Sequence, residues 1–279
     1  MEPEDYRRTT YETWEAMAPG WERRRDYIWE TSRAVGEWMV RELDSRPGDT
    51  VLELGAGPGD TGFAATAALG DDGRLISTDF SPDMVEVARR RGAELGRRNV
   101  DYRVMDAERI ELDSDSVDGV LCRFGYMLMA DAAAALSETR RVLRPGGRLS
   151  LAVWGAPERN PWASIGGRML VEGGHMPAPE PEAPGVFSMA SEERTRALLE
   201  RAGFTKVRSD EVPVSFAFRD LDDYVSFTMD TAGPFAIVVR GLSEDERETI
   251  KVQLGDAFDP FRADGGYELP GVALTAVAS

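Results

Sequence analysis

Short apolar runs alternate with amphipathic segments over most of this sequence. Seven apolar runs have the length and composition of β-strands, at 51–54, 74–79, 100–105, 117–123, 148–154, 206–218 and 267–277. Most of the segments between them carry apolar residues at helical spacing. Strands that alternate with helices in this way predict a parallel sheet covered on both faces. In such a sheet the carboxyl ends of the strands meet at one edge, where ligands bind.

Three segments stand outside this alternation. Residues 1–46 are predicted to be helical, with a break at Pro19–Gly20, because such a pair interrupts helices. Residues 219–262 carry two amphipathic stripes that predict two helices. The segment at about 156–190 has no regular pattern and predicts an irregular excursion over the ligand-binding edge. We therefore expect an α/β fold with a Rossmann-like domain at 47–279, a helical lid formed by the N-terminal segment, and these two segments as cap insertions.

Composition and charge limit the partners that this chain is expected to have. Of its 279 residues 42% are hydrophobic, and the formal net charge of −17 disfavours a nucleic acid as partner. No apolar run approaches the roughly 18 residues of a membrane span, and the acidic N-terminus lacks the layout of a signal peptide. The single cysteine, Cys122, excludes an internal disulfide and fits a reducing compartment. We expect a cytoplasmic protein with a small-molecule partner, and the oligomeric state stays open.

The glycine corner, residues 55–59, follows the first strand and organises the sequence. Its three glycines are spaced by two, and Thr61 is placed to cap the next helix. Glycine allows a sharp turn and the close approach of a ligand. The dinucleotide pattern G-x-G-x-x-G fails from the first glycine, because Asp60 holds its sixth position, and from the second glycine it begins two residues too late. A phosphate-binding Walker loop needs a lysine, which this segment lacks.

An acidic residue, Glu53, precedes the glycine corner and completes an acidic-x-Gly-x-Gly-x-Gly pattern. This pattern resembles motif I of the class I S-adenosylmethionine (SAM)-dependent methyltransferases. Asp79 closes the second strand twenty residues beyond Gly59, where an acid can accept both hydroxyls of an adenosine ribose. The resemblance implies that Asp106, at the end of the third strand, takes the exocyclic amine of adenine, and that the backbone near Ala107 takes a ring nitrogen.

Further residues at the same edge complete the expected cofactor site. Phe80 and Met84 are placed to sandwich the adenine, although Met84 also fits core packing. Arg123 ends the fourth strand, where the family presents backbone carbonyls to the amino-acid end of SAM; its side chain could instead face solvent or contact the acceptor. Trp21 is the lid residue expected to contact the cofactor. The predicted cofactor-binding set is Trp21, Glu53, Gly55, Ala56, Gly57, Asp79, Phe80, Met84, Asp106, Ala107 and Arg123.

The resemblance covers roughly residues 45–155. Within the family, the set of motifs also resembles that of the small-molecule subgroup that includes the quinone-biosynthesis C-methyltransferases. It implies a seven-stranded, mostly parallel sheet in the order 3-2-1-4-5-7-6, with an antiparallel last strand and a helical cap. The implied activity is methyl transfer from the sulfonium of SAM to a small, partly apolar molecule, which leaves S-adenosylhomocysteine (SAH). No Cys/His cluster for a metal is present in the sequence.

Catalysis of this kind needs little side-chain chemistry, because a sulfonium is already an activated donor and orientation supplies much of the rate. The only histidine, His175, is the candidate general base, although an exposed loop position is the commoner role. Two alternatives stay open: an NAD(P)-dependent oxidoreductase, and a SAM-binding regulatory or accessory protein without methyl transfer. The glycine spacing speaks against the oxidoreductase, as does the missing Tyr-x-x-x-Lys pair, since Ala130 follows Tyr126 in the lysine's place.

Overall fold

One mixed sheet forms the centre of the structure, a computed structural model that describes residues 3–180 and 183–279. Its strands are β1 (Thr50–Leu54), β2 (Arg74–Asp79), β3 (Val100–Val104), β4 (Val117–Arg123), β5 (Leu143–Trp154), β6 (Val207–Phe218), β7 (Arg262–Ala263) and β8 (Gly266–Ala278). They run in the order β3-β2-β1-β4-β5-β8-β6, and the short β7 pairs only with β8. The last strand, β8, is antiparallel to both β5 and β6. The predicted strand order and antiparallel last strand are therefore confirmed, with β7 as an addition that is too short to leave a pattern in the sequence.

Helices pack on this sheet and extend beyond its carboxyl edge. Ser81, Asp131 and Ser191 each accept a backbone N–H at the start of a helix, which fixes where that helix begins. None of the helices in the described residues is both long and apolar enough to cross a membrane. The helices are α1 (Pro3–Leu43), α2 (Asp60–Leu69), α3 (Pro82–Glu94), α4 (Ala132–Val142), α5 (Pro161–Glu172), α6 (Glu192–Arg201), α7 (Leu221–Thr231), α8 (Gly233–Gly241) and α9 (Glu244–Phe258).

The predicted break at Pro19–Gly20 is wrong, because α1 continues through it. A Cβ at Gly20 would collide with the backbone carbonyl of Asp230 in α7, so this glycine lets the two helices pack closely. A proline inside a helix costs about 3 kcal/mol. Contacts of α1 with α2, α3, α7 and four strands of the sheet offset that cost.

The segment at 156–190 is more regular than predicted, since it contains α5, and 219–262 contains three helices rather than two. Gly166 lies within α5, where this helix comes close to α7. A Cβ there would lie 2.9 Å from the Tyr224 hydroxyl, so this glycine marks a helix crossing rather than a loop. Residues 181–182 of this segment, and residues 1–2 of the predicted lid, lie outside the described residues.

The two parts of α1 differ in burial. No residue from 5 to 16 is buried, and we call this stretch the outer half of α1. From residue 5 onward Met17 and Ala18 are the first buried residues, and further buried positions follow as far as Leu43. The helix is therefore anchored in the protein by its second part, while the outer half lies on the surface.

Candidate functional site

The glycine corner turns the chain from β1 into α2 through left-handed backbone conformations. The φ angles are +59° at Gly55, +53° at Gly57 and +87° at Gly59, which residues with a Cβ rarely adopt. The predicted helix cap, Thr61, is wrong, because this residue lies inside α2, whose start has no side-chain cap. Its hydroxyl instead accepts a hydrogen bond from Nε of Arg123 (2.7 Å), which links α2 to the end of β4.

Asp79 joins the glycine corner to the start of α3. Its two carboxylate oxygens accept the backbone N–H groups of Gly57 (2.9 Å) and Ser81 (3.0 Å). The corner is also held by the N–H of Ala56, which donates to the carbonyl of Thr78 (2.9 Å). Burial raises the pKa of Asp79, and the backbone hydrogen bonds oppose that shift. Each carboxylate oxygen can accept a further hydrogen bond, so the predicted contact to a ribose stays open to it.

The end of β3 brings the predicted adenine residues beside Asp79. The N–H of Met105 donates to the Asp79 carbonyl (2.9 Å), so the residues that follow Met105 reach the same edge. There the carboxylate of Asp106 accepts the N–H of Glu108 (2.8 Å) and forms a tight turn. Ala107 is buried in this turn and presents no more than a methyl group.

The two residues predicted to sandwich the adenine differ in their surroundings. Phe80 is half-buried at the end of β2, and its ring meets the ring of Tyr11 edge-on, with centres 5.3 Å apart. Met84 is buried within α3 but lies outside the main hydrophobic core. Both roles stay predictions, and Phe80 is the one whose ring lies at the carboxyl edge.

Glu53 is buried, and hydrogen bonds within the protein occupy its carboxyl group. One oxygen accepts the N–H of Gly62 (2.7 Å), and the other accepts the hydroxyl of Ser77 (3.1 Å). A Cβ at Gly62 would collide with this carboxyl group, so the glycine lets α2 pack onto β1. Burial raises the pKa of Glu53 to about 8. These contacts make Glu53 a support of the corner, and its contact with a cofactor stays a prediction.

The raised pKa of Glu53 predicts a pH dependence of stability. Because the pKa rises from 4.5 in the reference state to about 8 when folded, the folded state holds the extra proton between these values. The contribution of Glu53 to the free energy of unfolding is then fully present below about pH 4.5. It falls as the pH rises towards 8, by up to about 1.4 kcal/mol per pH unit. Glu53→Gln mimics the neutral carboxyl group, so its stability relative to the wild type should increase over this range.

Urea unfolding of both proteins without cofactor, at pH 5 to 9, measures this difference. Glu37→Gln is the matched control, because Glu37 is exposed on α1 and its substitution removes the same charge. A stability difference between Glu53→Gln and the wild type that is constant with pH would show that Glu53 is ionised in the folded state.

Arg123 ends β4 and lies between α1 and α2. Its Nε donates to the hydroxyl of Thr61 (2.7 Å), and one Nη1–H donates to the hydroxyl of Ser32 (2.5 Å). The guanidinium carbon lies 5.9 Å from the ring centre of Trp29 and 5.6 Å from that of Phe124. Arg123 therefore lies at the end of β4, as predicted, and its side chain is surrounded by hydroxyl groups and aromatic rings.

Phe124 follows Arg123 in a strained conformation. Its φ is +61°, which is rare for a residue with a bulky side chain and often found at functional sites. The ring stacks on Trp154 with 4.0 Å between centres. The chain then passes close to the glycine corner, since a Cβ on Gly55 would lie 3.8 Å from the Cα of Gly125. The ends of β1, β4 and β5 therefore meet at this point.

Two predicted site residues have their described contacts elsewhere. The indole N–H of Trp21 donates to the carbonyl of Thr231 in α7 (3.2 Å), and its ring meets Trp14. His175 lies beyond the end of α5, in a cavity of about 320 Å³ between α5 and α9 that Glu246 also lines. No residue of the glycine corner or of the strand ends lines that cavity. The roles of Trp21 and His175 stay predictions.

The outer half of α1 crosses the carboxyl edge and contacts the loops after β2, β3 and β4. The partners are 66 to 122 positions apart in the sequence, so no local pattern marked these residues in advance. The four contacts are the Tyr6 hydroxyl on the Leu128 carbonyl (3.1 Å), the Arg7–Glu108 ion pair, the Tyr11 ring on Phe80, and the Ser81 hydroxyl on the Glu15 carboxylate.

Comparisons with known proteins show what this chain is similar to. Residues 51–147 match a family model described as a methyltransferase domain. A demethylmenaquinone methyltransferase from Beutenbergia cavernae is 41% identical over 130 residues, which are 45% of this chain and 49% of the relative. The ubiquinone/menaquinone biosynthesis C-methyltransferase UbiE from Teredinibacter turnerae is 32% identical over 116 residues, which are 41% of this chain and 47% of the relative. The chain spans about half the length of these curated relatives.

Among solved structures, the YcgJ protein from Bacillus subtilis superposes with a TM-score of 0.60 at 20% identity, over 87% of this chain and 96% of that one. At this identity the similarity shows the fold alone. Together the matches confirm the resemblance to class I SAM-dependent methyltransferases of the quinone C-methyltransferase type. They favour this class over the NAD(P)-dependent oxidoreductases.

Proposed function

We propose that this chain transfers a methyl group from SAM to a small, partly apolar acceptor. The observation that carries the proposal is a row of site residues on adjacent strands: Asp106 after β3, Asp79 on β2, the glycine corner after β1 and Arg123 on β4. SAM laid along this row places its adenine near Asp106, its ribose at Asp79 and its methionyl part over the glycine corner. The methyl group is then delivered on the β4 and β5 side of the sheet.

The acceptor pocket in this proposal lies beside the end of β5 and is lined by aromatic residues. Trp154 meets Trp162 of α5 with 4.8 Å between ring centres, and Trp162 stacks on Phe216 at 4.0 Å. Tyr27 of α1 extends this aromatic lining, and its ring centre lies 6.5 Å from that of Phe216. Such a lining favours an apolar, flat acceptor. These residues come from α1, the first cap segment and the ends of β5 and β6. In this proposal the second cap segment contributes Phe227 of α7, whose ring centre lies 5.4 Å from that of Tyr27.

In the proposed reaction the protein acts mainly by orientation, because the sulfonium supplies the activated methyl group. Catalysis by His175 as a general base stays a prediction, and His175→Asn tests it, since a base contributes about 10²–10⁴-fold. The acidic surface, with a net charge of −17, supports a small acceptor rather than a nucleic acid. A cytoplasmic location is part of the same proposal and rests on the sequence alone.

Calorimetry with SAM, SAH, NADH and NADPH tests the cofactor, and we expect binding of the first two only. Transfer of a labelled methyl group from SAM into a panel of quinols, phenols and amines then tests the reaction. Binding of SAM without transfer to any acceptor class would favour the regulatory or accessory alternative. Failure of the folded protein to bind SAM or SAH would overturn the proposed function.

A further inference from the structure

Arg123 is a cation without a carboxylate partner among the described residues. The hydrogen bonds of its guanidinium group go to two neutral hydroxyls, those of Thr61 and Ser32, and its other neighbours include the rings of Trp29 and Phe124. Five N–H groups are available on an arginine, and these contacts use two of them. A partly desolvated cation in such surroundings is costly unless an anion accompanies it.

The carboxyl groups nearest in the fold do not neutralise this cation. Asp60 is paired with Arg91 (3.2 Å), which also pairs with Asp26 (2.8 Å). Glu53 is buried with a pKa raised to about 8, so its carboxyl group is mostly uncharged at neutral pH. Burial correspondingly lowers the pKa of Arg123, whereas the ion-paired Arg91 has a raised pKa. Asp60 and Glu53 raise the pKa of Arg123, but their effect is smaller than that of burial. Neither carboxyl group forms an ion pair with Arg123 in the described residues, so a ligand anion can still pair with it.

We infer that Arg123 is the receptor for a ligand carboxylate at the β4 end of the cofactor site. The inference deepens the proposed function and rests on it. Two ligands can supply the carboxylate: SAM itself, through its methionyl group, or an acidic acceptor. The free N–H groups of a guanidinium fork suit a carboxylate, and the flanking rings of Trp29 and Phe124 limit competition from water.

The test compares Arg123→Gln with the wild type by calorimetry, using two adenosine ligands that differ in their amino-acid part. SAH carries the carboxylate, whereas 5′-methylthioadenosine lacks the amino-acid group altogether. If SAM supplies the carboxylate, the affinity for SAH falls by about 10- to 100-fold and the affinity for methylthioadenosine is unchanged. Arg33→Gln is the matched control, because Arg33 is exposed on the same helix as Ser32 and its substitution removes the same charge.

The second arm uses sodium benzoate and uncharged benzamide with the SAH-saturated protein. If the acceptor supplies the carboxylate, the wild type binds benzoate better than benzamide, Arg123→Gln loses that preference, and SAH affinity is unchanged. Equal SAH affinity together with no benzoate preference would overturn the inference. Should Arg123→Gln not fold, Arg123→Lys keeps the charge without the fork and serves in both arms. A wild type that binds neither SAH nor methylthioadenosine would instead overturn the proposed function.

Discussion

Replacing Asp79 with alanine is expected to lower the affinity for SAM by about 10- to 1,000-fold. In the proposed complex the carboxylate accepts both ribose hydroxyls, and each charge-assisted hydrogen bond contributes about 1.5–3 kcal/mol. The substitution also frees the N–H groups of Gly57 and Ser81, which hold the glycine corner against α3. Because the ribose is separate from the reacting methyl group, turnover at saturating SAM should fall less than affinity. Calorimetry with SAM and SAH measures the first effect, and initial rates measure the second.

Asp79→Asn sharpens this test. An amide presents an NH₂ group to one of the two backbone N–H donors that the carboxylate now accepts, so one of these hydrogen bonds must be lost. We expect an affinity between those of the wild type and Asp79→Ala. Asp83→Asn is the matched control, since Asp83 is an exposed acid in the first turn of α3, four positions from Asp79. An Asp79→Ala protein with wild-type SAM affinity would mean that the ribose is bound elsewhere.

The sheet could be predicted from the sequence because its signals are local. Most strands contain a short stretch of apolar or buried residues, as in β1, where the last four residues are all buried. The position of Asp79 followed from where its strand ends, and the structure has that strand end at the same residue. The strand order came from the family resemblance that the glycine corner carried. Only β7, two residues long, has no corresponding signal.

The role of glycines in the helical segments depends on residues far away in the sequence, so a local pattern does not reveal it. Gly20 makes room for the Asp230 carbonyl, and Gly166 makes room for Tyr224 and Phe235. A local pattern cannot distinguish such a close approach from a chain break. The same limit applies to Thr61, whose partner Arg123 is 62 positions away. Tertiary contacts therefore decided each of these positions against the local preference.

The sequence predicts the strand-end positions of the candidate site, but it does not predict which part of α1 lies over them. No sequence pattern distinguishes Tyr11 and Glu15 from their neighbours, because each is one of several aromatic or acidic residues on an amphipathic helix. Their positions over Phe80 and Ser81 follow from the packing of the rest of α1. We propose on this basis that the lid is the outer half of α1 rather than the whole of residues 1–46, because residues 17–43 supply buried side chains that anchor the helix.

Deleting residues 1–16 is therefore expected to leave the fold intact and to impair methyl transfer. The deletion removes no residue known to be buried and all four contacts with the strand-end loops, including the Arg7–Glu108 ion pair and the Glu15–Ser81 hydrogen bond. A lid keeps water from the reacting groups and slows escape of the cofactor. We expect the dissociation rate of SAH to rise, and turnover at saturating SAM to fall, each by about tenfold or more. Stopped-flow displacement of SAH and labelled-methyl assays measure these changes.

A milder variant separates the lid from the bulk of the helix. Arg7→Gln with Glu15→Gln removes the Arg7–Glu108 ion pair and weakens the Ser81–Glu15 hydrogen bond, because the amide oxygen of glutamine is an uncharged acceptor. The helix keeps its length, so the dissociation rate should lie between those of the wild type and the deletion. Glu12→Gln is the matched control, because Glu12 is exposed on the same part of α1 and its side chain forms no hydrogen bond or ion pair with the described residues. The melting temperature should change little in all of these proteins, since their substitutions spare every residue from Met17 onward. If the deletion protein melts like the wild type and also releases SAH and turns over at wild-type rates, the outer half of α1 is a surface helix and the cofactor is closed in by other segments.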